Sequence, residues 1–167
     1  SMIVSEILYE EQSDIVNAGR AIVYTYNGNN WVQKGNDVIG TINNDKFGFS
    51  VAMNGDGNTI AITSFIRRMI FIYEWSGTEW VQKGNEIYFP TAYSGLSISL
   101  NDAGDRIITS YYRQTSTPWV ISGIVYEYNN GTSAWVQLGS DFGNEPYNGN
   151  VAGRLVHRHH HMSMSGD

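Results

Sequence analysis

Cysteine is absent from this chain of 167 residues, and charged residues are scarce. Without cysteine the chain can form neither a disulfide framework nor a thiolate metal site. Asp, Glu, Lys and Arg make up 16% of the residues and leave a net charge of −6, which excludes the basic surface typical of nucleic-acid-binding proteins. No apolar run approaches the roughly 20 residues that cross a bilayer. We therefore expect neither a nucleic-acid partner nor membrane insertion.

Glycine and aromatic residues are plentiful instead. The chain has 18 glycines, 13% aromatic residues and 41% hydrophobic residues, which is enough apolar material for the core of one ordinary domain. Many glycines combined with few charges favour short strands and tight turns over long helices with surface ion pairs. The composition therefore predicts an all-β protein in which residues 1–167 form a single unit.

Two sequence units alternate along the chain. The first is a strand-turn-strand pattern that ends in Trp-Val-Gln, with its tryptophans at Trp31, Trp80 and Trp135. The second is centred on a turn and occupies 47–62 and 94–109. Runs of Val, Ile, Tyr and Trp favour strands, and Asn-Gly or Ser-Gly pairs favour hairpin turns. Two hairpins in each repeat of about 50 residues predict four-stranded antiparallel sheets, the blades of a β-propeller.

This combination resembles the FG-GAP repeats of integrin α-chain-like β-propellers. The resemblance covers nearly the whole chain, and it implies a β-propeller fold and a place outside the cell or at its surface. It also implies a binding or adhesion role, with a protein or a glycan as ligand. The segments that carry it are Phe47-Gly48-Phe49-Ser50-Val51-Ala52, Gly55-Asp56-Gly57 and Ile60-Ala61-Ile62, followed by Val-Tyr-x-Tyr and Trp-Val-Gln-x-Gly patterns.

The calcium-binding loop found in some members of that family is only partly matched here. Asn54, Asp56 and Gly57 fall on its later positions, but Ala52 and Ile60 stand where acidic ligands are needed. Calcium takes about six to eight oxygen ligands. Because these loops supply too few oxygens, we expect plain hairpin turns and no cofactor.

The repeats predict three blades, one of which is split between the two ends of the chain. Known propellers have about four to eight blades, so three blades predict a domain-swapped homodimer with six. The alternative is that this sequence is a piece of a longer array. In the split blade, Ile3-Val4-Ser5 resembles Ile62-Thr63-Ser64, and the innermost strand is expected near 155–165. The three blades are 1–35 with 150–167, 45–84, and 94–139.

The connection between the second and third strands differs most from blade to blade. Such variable loops carry the function of many repeat proteins. We therefore predict a binding rim on these connections, composed of Arg67, Arg68, Tyr112, Arg113 and Trp119.

A histidine cluster near the C-terminus is a weaker candidate site. His157, His159 and His161 would share one face of a strand, and imidazole binds transition metals. The cluster falls in or beside an insertion, with Asp167 as the nearest acidic residue in sequence. A histidine-rich polar strand or loop is therefore the preferred interpretation, and no metal site is predicted.

The three repeated tryptophans allow two interpretations. They could form a sugar-binding platform on each blade, or each indole could wedge between neighbouring blades and bury a large apolar area. Packing is the preferred interpretation, because any repeated core position recurs in this way.

Motifs for catalysis are missing from the sequence. It has no serine elbow, no repeated pair of carboxylates and no phosphate loop. We therefore interpret the chain as a non-enzymatic, self-assembling binding or adhesion scaffold. The alternatives are a multivalent carbohydrate-binding propeller and a fragment of a larger propeller.

Overall fold

The computed structural model describes residues 1–10, 16–89, 97–113 and 120–146. These residues form strands, turns and loops, and none of the segments described is a helix able to cross a membrane. The strands are β1 (Met2–Glu6), β2 (Arg20–Tyr26), β3 (Trp31–Gln33), β4 (Val38–Ile39), β5 (Phe47–Met53), β6 (Thr59–Ser64), β7 (Met69–Trp75), β8 (Trp80–Gln82), β9 (Ile87–Tyr88), β10 (Ser97–Leu100), β11 (Arg106–Arg113), β12 (Val120–Asn129), β13 (Ala134–Gln137) and β14 (Phe142–Pro146).

The strands pair into three antiparallel sheets. The first sheet contains β1–β4, the second β5–β9 and the third β10–β14. Within each sheet the strands pair in sequence order except for the last short one, so that β4, β9 and β14 pair with β2, β7 and β12. The prediction of an all-β fold built from antiparallel sheets is confirmed for the described residues. The strand expected at 155–165, which would complete the first sheet, lies outside them.

In every sheet the outermost strand is broken into two short pieces. In the second sheet, β8 pairs with one half of β7, where Trp75 lies opposite Trp80. β9 pairs with the other half, where Ile70 lies opposite Ile87. The other two sheets repeat this arrangement. Between the pieces stands a glycine with a left-handed φ of 73° to 75°, a conformation in which a Cβ is unfavourable. We call residues 34–35, 83–84 and 138–139 the glycine bends.

The three sheets stack face to face in chain order. One core cluster joins the first sheet to the second, with Val23 and Ile60 among its members. Another joins the second sheet to the third and includes Ile72 and Ile107. The second sheet is thus covered on both faces, and Ile60 and Ile72 are fully buried on its opposite sides.

An asparagine closes the hairpin turn before the second strand in both of the later sheets. Asn54 Oδ1 accepts the backbone N–H groups of Asn58 and Thr59 at 3.0 and 2.8 Å. Asn101 Oδ1 accepts the two equivalent hydrogen bonds at 3.1 and 3.0 Å. Because the backbone engages these oxygens, the loops that were compared with a calcium site are hairpin turns held by their own asparagines.

The register of β1 differs by one residue from the alignment made on sequence. Ile3 lies opposite Val23 in the first sheet, and Ala61 lies opposite Ile72 in the second. The two partners hold the same position in the repeat, so Ile3 corresponds to Ala61 and not to Ile62. A shift of one residue moves a side chain to the other face of a sheet. Here it turns Ile3 towards the second sheet, where it packs on the shared core.

Candidate functional site

A basic corner lies where β6 turns into β7. Residues 65–68 join the two strands, and the loop before β5 reaches the same place. The two segments are tied together, because Ile66 donates its backbone N–H to the carbonyl oxygen of Asp45 at 3.3 Å. We call residues 45–46 and 65–68 the basic corner.

Asp45 is the buried centre of the basic corner. Its side chain is fully buried, and Arg67 donates to Oδ2 through Nε at 2.9 Å and through Nη2 at 2.5 Å. Ser64 donates its hydroxyl to Oδ1. A buried carboxylate is unfavourable unless its oxygens are paired, so these bonds fix the turn against the loop. The guanidinium carbon of Arg67 also lies 4.4 Å from the ring centre of Phe71, which holds the guanidinium from a second side.

Arg68, the next residue in the turn, is exposed. Its φ is +56°, in the left-handed region where a Cβ is crowded and glycine is preferred. Its carbonyl oxygen accepts the N–H of Phe89 at 3.0 Å. The turn therefore holds an arginine in a conformation that glycine would adopt at lower cost.

Lys46 adds a third positive charge to the basic corner. Its φ is also left-handed, at +52°, and its Nζ lies 5.5 Å from the ring centre of Phe65. The corner contains one carboxylate, Asp45, which is already paired with Arg67. It is therefore locally cationic on a chain whose net charge is −6, and such a local charge can attract an anion.

The third sheet presents the corresponding connection at the same end of its strands. Arg113 at the end of β11 pairs with Val120 at the start of β12. The pair that matches Ser64 with Met69 of the second sheet is Tyr111 with Ser122, so β11 and β12 continue two residues further at this end. The backbone of Tyr112 and Arg113 thus occupies the end of the third sheet that matches the basic corner of the second.

The predicted rim is partly assembled by these elements. Arg67 and Arg68 lie together; Arg67 is paired with the buried Asp45, and Arg68 is exposed. Trp119 lies outside the described residues, as do the metal candidates His157, His159 and His161. In the ranges the structure covers, no group of three or more His, Cys, Asp or Glu side chains could hold a metal ion.

Sequence reasoning missed the parts played by Asp45 and Lys46. The only local signal was a pair of charges directly before the apolar strand that begins at Phe47. Nothing near Asp45 in the sequence indicates its partner, because Arg67 lies 22 residues further along the chain.

Two of the repeated tryptophans are packed between sheets. The indole N–H of Trp80 donates to the carbonyl oxygen of Lys34 at 2.9 Å, and that of Trp135 donates to the carbonyl oxygen of Lys83 at 2.8 Å. The packing interpretation is confirmed at these two positions. Trp31, in the first sheet, is 50% exposed.

A comparison with solved structures supports a propeller-type fold. One that matches is a protein of Bacteroides fragilis NCTC 9343, provisionally named a 6-phosphogluconolactonase, with a TM-score of 0.53 and 14% sequence identity. The match covers 76% of this chain and 34% of that chain, so this chain spans about a third of the length of the propeller-type protein it resembles. No family model matches the chain, and no curated protein matches it either.

These findings correct the functional interpretation made from sequence. The solved structure carries an enzyme's name, which contradicts the interpretation as a non-enzymatic binding or adhesion scaffold. That interpretation depended on the FG-GAP resemblance, which no family model supports, and on the absence of catalytic motifs. The physical reason for the error is general: one fold carries many functions, so a repeat pattern indicates architecture and not activity.

Proposed function

We propose that the three sheets are three blades of a β-propeller, of the FG-GAP-like type that their repeats resemble. The face-to-face stacking in chain order supports this proposal, as does the overlap of 76% of the chain with a propeller-type protein. Each blade then presents the connection between its second and third strands on one side of the ring.

On that side, the proposed function is to bind a small anionic sugar derivative at the basic corner. The observation that carries this proposal is Arg68, an exposed arginine held in a left-handed turn. Strained backbone positions persist where the surrounding structure over-determines them, often at binding sites. A glycine would relax this turn, so a role for the arginine side chain would account for the strain.

The chemistry of the corner suggests the class of ligand. Guanidinium groups bind phosphate and carboxylate oxygens with directed, charge-assisted hydrogen bonds. The protein of similar structure is named for a phosphorylated sugar lactone. Tyr112, Arg113 and Trp119 are proposed from the sequence as further members of this rim, because arginine can pair with an anionic group and aromatic rings can stack on a sugar.

Replacement of Arg68 by glycine tests the proposal with little risk to the fold, because glycine suits the left-handed turn. The probe is 6-phosphogluconate, with binding measured by isothermal titration calorimetry. A charge-assisted hydrogen bond contributes about 1.5 to 3 kcal/mol, so Arg68→Gly should weaken binding at least about tenfold while the melting temperature stays equal or rises.

Two further variants serve as controls. Arg68→Lys keeps the charge and should retain part of the affinity. Arg106→Gln changes a partly exposed arginine, paired with Glu127 in the third sheet, and should leave binding unchanged. No binding by the unmodified protein, or equal binding by Arg68→Gly, would overturn the proposal.

A further inference from the structure

The two junctions between sheets follow one plan. Each junction tryptophan stands against a second aromatic ring, with 5.3 Å and 57° between Trp75 and Trp80, and 5.3 Å and 55° between Tyr128 and Trp135. The glycine bend of the preceding sheet packs directly on this aromatic pair. At the first junction, a Cβ placed on Gly35 would lie 2.5 Å from the ring of Trp75.

The outward face of the first sheet has the aromatic pair of such a junction, but no described glycine bend covers it. Tyr26 and Trp31 stand 5.4 Å apart at 52°, nearly the geometry of the buried pairs. They are 52% and 50% exposed, and among the described residues the indole N–H of Trp31 has no hydrogen-bond acceptor.

The strand face beside this aromatic pair is also uncovered. Met2 and Val4 in β1 are 36% and 46% exposed. Ile60 and Ile62 occupy the same positions in β6, and both are fully buried. The outward face of the first sheet is therefore apolar like an internal one but has no described neighbour.

The third sheet carries the other half of a junction. Its glycine bend has a left-handed φ of 73° at Gly139, and a Cβ there would meet nothing within 4 Å. Leu138 in the same bend is 47% exposed. Phe142 is 42% exposed, whereas Ile87, its equivalent in the second sheet, is 3% exposed.

The lysine found in the first two glycine bends is replaced by leucine in the third, and this replacement suits a contact between the two open end faces. At the first junction, Lys34 Nζ donates to the carbonyl oxygen of Gly57 at 2.7 Å, in the hairpin turn before β6. Lys83 makes the same kind of bond to the turn before β11. Among the described residues of the first sheet, no hairpin turn precedes β1. The third bend has Leu138 in the lysine position, an apolar side chain that needs no carbonyl acceptor.

From these observations we infer that the open faces bind a second copy of this chain, head to tail. The Leu138–Gly139 bend of one protomer packs on Tyr26 and Trp31 of the other, and the indole N–H of Trp31 donates to the carbonyl oxygen of the partner's Leu138. Each protomer has one half of the contact at each end, and in the proposed assembly two copies form two identical contacts that close a ring. The inference depends on the end faces alone and is independent of the basic corner.

Paired charge substitutions test this arrangement by light scattering on a sizing column. The unmodified protein should have about twice the chain mass of 18.7 kDa. Leu138→Glu and Trp31→Lys should each give a mass near one chain, because each variant places a charge in both contacts of its own ring. A mixture of the two variants should regain the mass of two chains, since one contact then pairs Glu with Lys and the other is unaltered.

Matched controls change equally exposed residues of the second sheet. Val81→Glu and Tyr88→Lys alter side chains that are 48% and 54% exposed, and both variants should keep the mass of two chains. Circular dichroism should be used to check that every variant is folded. A one-chain mass for the unmodified protein would overturn the proposal and favour flanking repeats of a longer chain as the occupant. A mass above two chains, or a dimer that survives either end variant, would overturn it as well.

Discussion

Trp135 and Trp31 hold the same place in the repeat, yet the first is 4% exposed and the second 50%. Each stands beside an aromatic ring at nearly the same distance and angle. The two exposures differ because the glycine bend at Lys83 covers Trp135, whereas no described segment covers Trp31. In stacked repeats each unit contacts only the next. Whether a repeated residue belongs to the core or to the surface therefore depends on its position in the stack.

Exposure also depends on position in the stack at the outer face of the third sheet. Ile87 is buried under the third sheet, and its equivalent Phe142 stays 42% exposed. Junctions inside the chain should therefore contribute to the stability of the fold, whereas the same positions at the two ends have no neighbour among the described residues.

The largest expected difference is between the two tryptophans themselves. In a chain carrying Leu138→Glu, Trp135→Ala should lower the free energy of unfolding by about 3 to 5 kcal/mol, because it removes a buried indole and its hydrogen bond. Trp31→Ala in the same background should cost less than about 1 kcal/mol. Urea unfolding measures both. Equal losses would contradict the distinction between junctions and ends.

Alanine substitutions at two glycines separate the cost of backbone strain from the cost of poor packing. Gly35 and Gly139 have φ values of 75° and 73°, so alanine carries the same strain at either position, about 1 to 2 kcal/mol. Only at Gly35 would the new Cβ also meet an aromatic ring, which should add about 1 to 3 kcal/mol. Gly35→Ala should thus unfold at a lower urea concentration than Gly139→Ala when both are monomeric. The reverse order would exclude the packing of the first junction.

Exchange of the two bend residues gives a smaller effect. Lys34→Leu leaves the carbonyl oxygen of Gly57 without its ammonium donor, which should cost about 1 to 2 kcal/mol of unfolding free energy. Leu138→Lys places a lysine where no such carbonyl is described, and should change the unfolding free energy of the monomer by less than about 0.5 kcal/mol. Thermal and urea unfolding of both variants measure the contrast.

The smallest predicted effect is a dependence on pH. Burial lowers the pKa of Lys34 in the folded chain below its ordinary value of 10.5. Between the folded pKa and 10.5 the unfolded chain therefore binds more protons, and the contribution of Lys34 to stability rises with pH. Between pH 8 and pH 11, the unfolding free energy of the unmodified protein minus that of Lys34→Leu should therefore increase with pH. A constant or shrinking difference would show that burial does not disfavour the charged form.

The sequence was a good guide to local structure. Repeated runs of Val, Ile, Tyr and Trp predicted the strands, and the turn residues predicted the hairpins. The broken outer strands were not predicted, because the short second pieces such as Ile87–Tyr88 are too brief to show a period. The register of β1 was missed by one residue, since Ile3-Val4-Ser5 fits two alignments and only pairing with β2 decides between them.

The candidate site was less accessible to sequence reasoning. Arg67 and Arg68 were identified from the variable loop, but nothing local indicates that Arg67 turns inwards to a buried Asp45. Pairs of charges far apart in sequence become neighbours only when strands and loops have packed. The exposed end faces could not be predicted from the sequence either, because Trp31 and Trp80 belong to the same motif. Their exposure depends on what lies beside each sheet.

The broken outer strands also bear on the risk of aggregation through the edges of the sheets. A long, straight, unpaired edge is a template on which other chains add strands and aggregate. In the second sheet the outward edge offers only the three residues of β8 and the two of β9, separated by a kink at the glycine bend. Such an edge offers a foreign strand no continuous ladder, so the glycine bends that pack on the aromatic pairs should also hinder strand addition at the outer edge of the sheet.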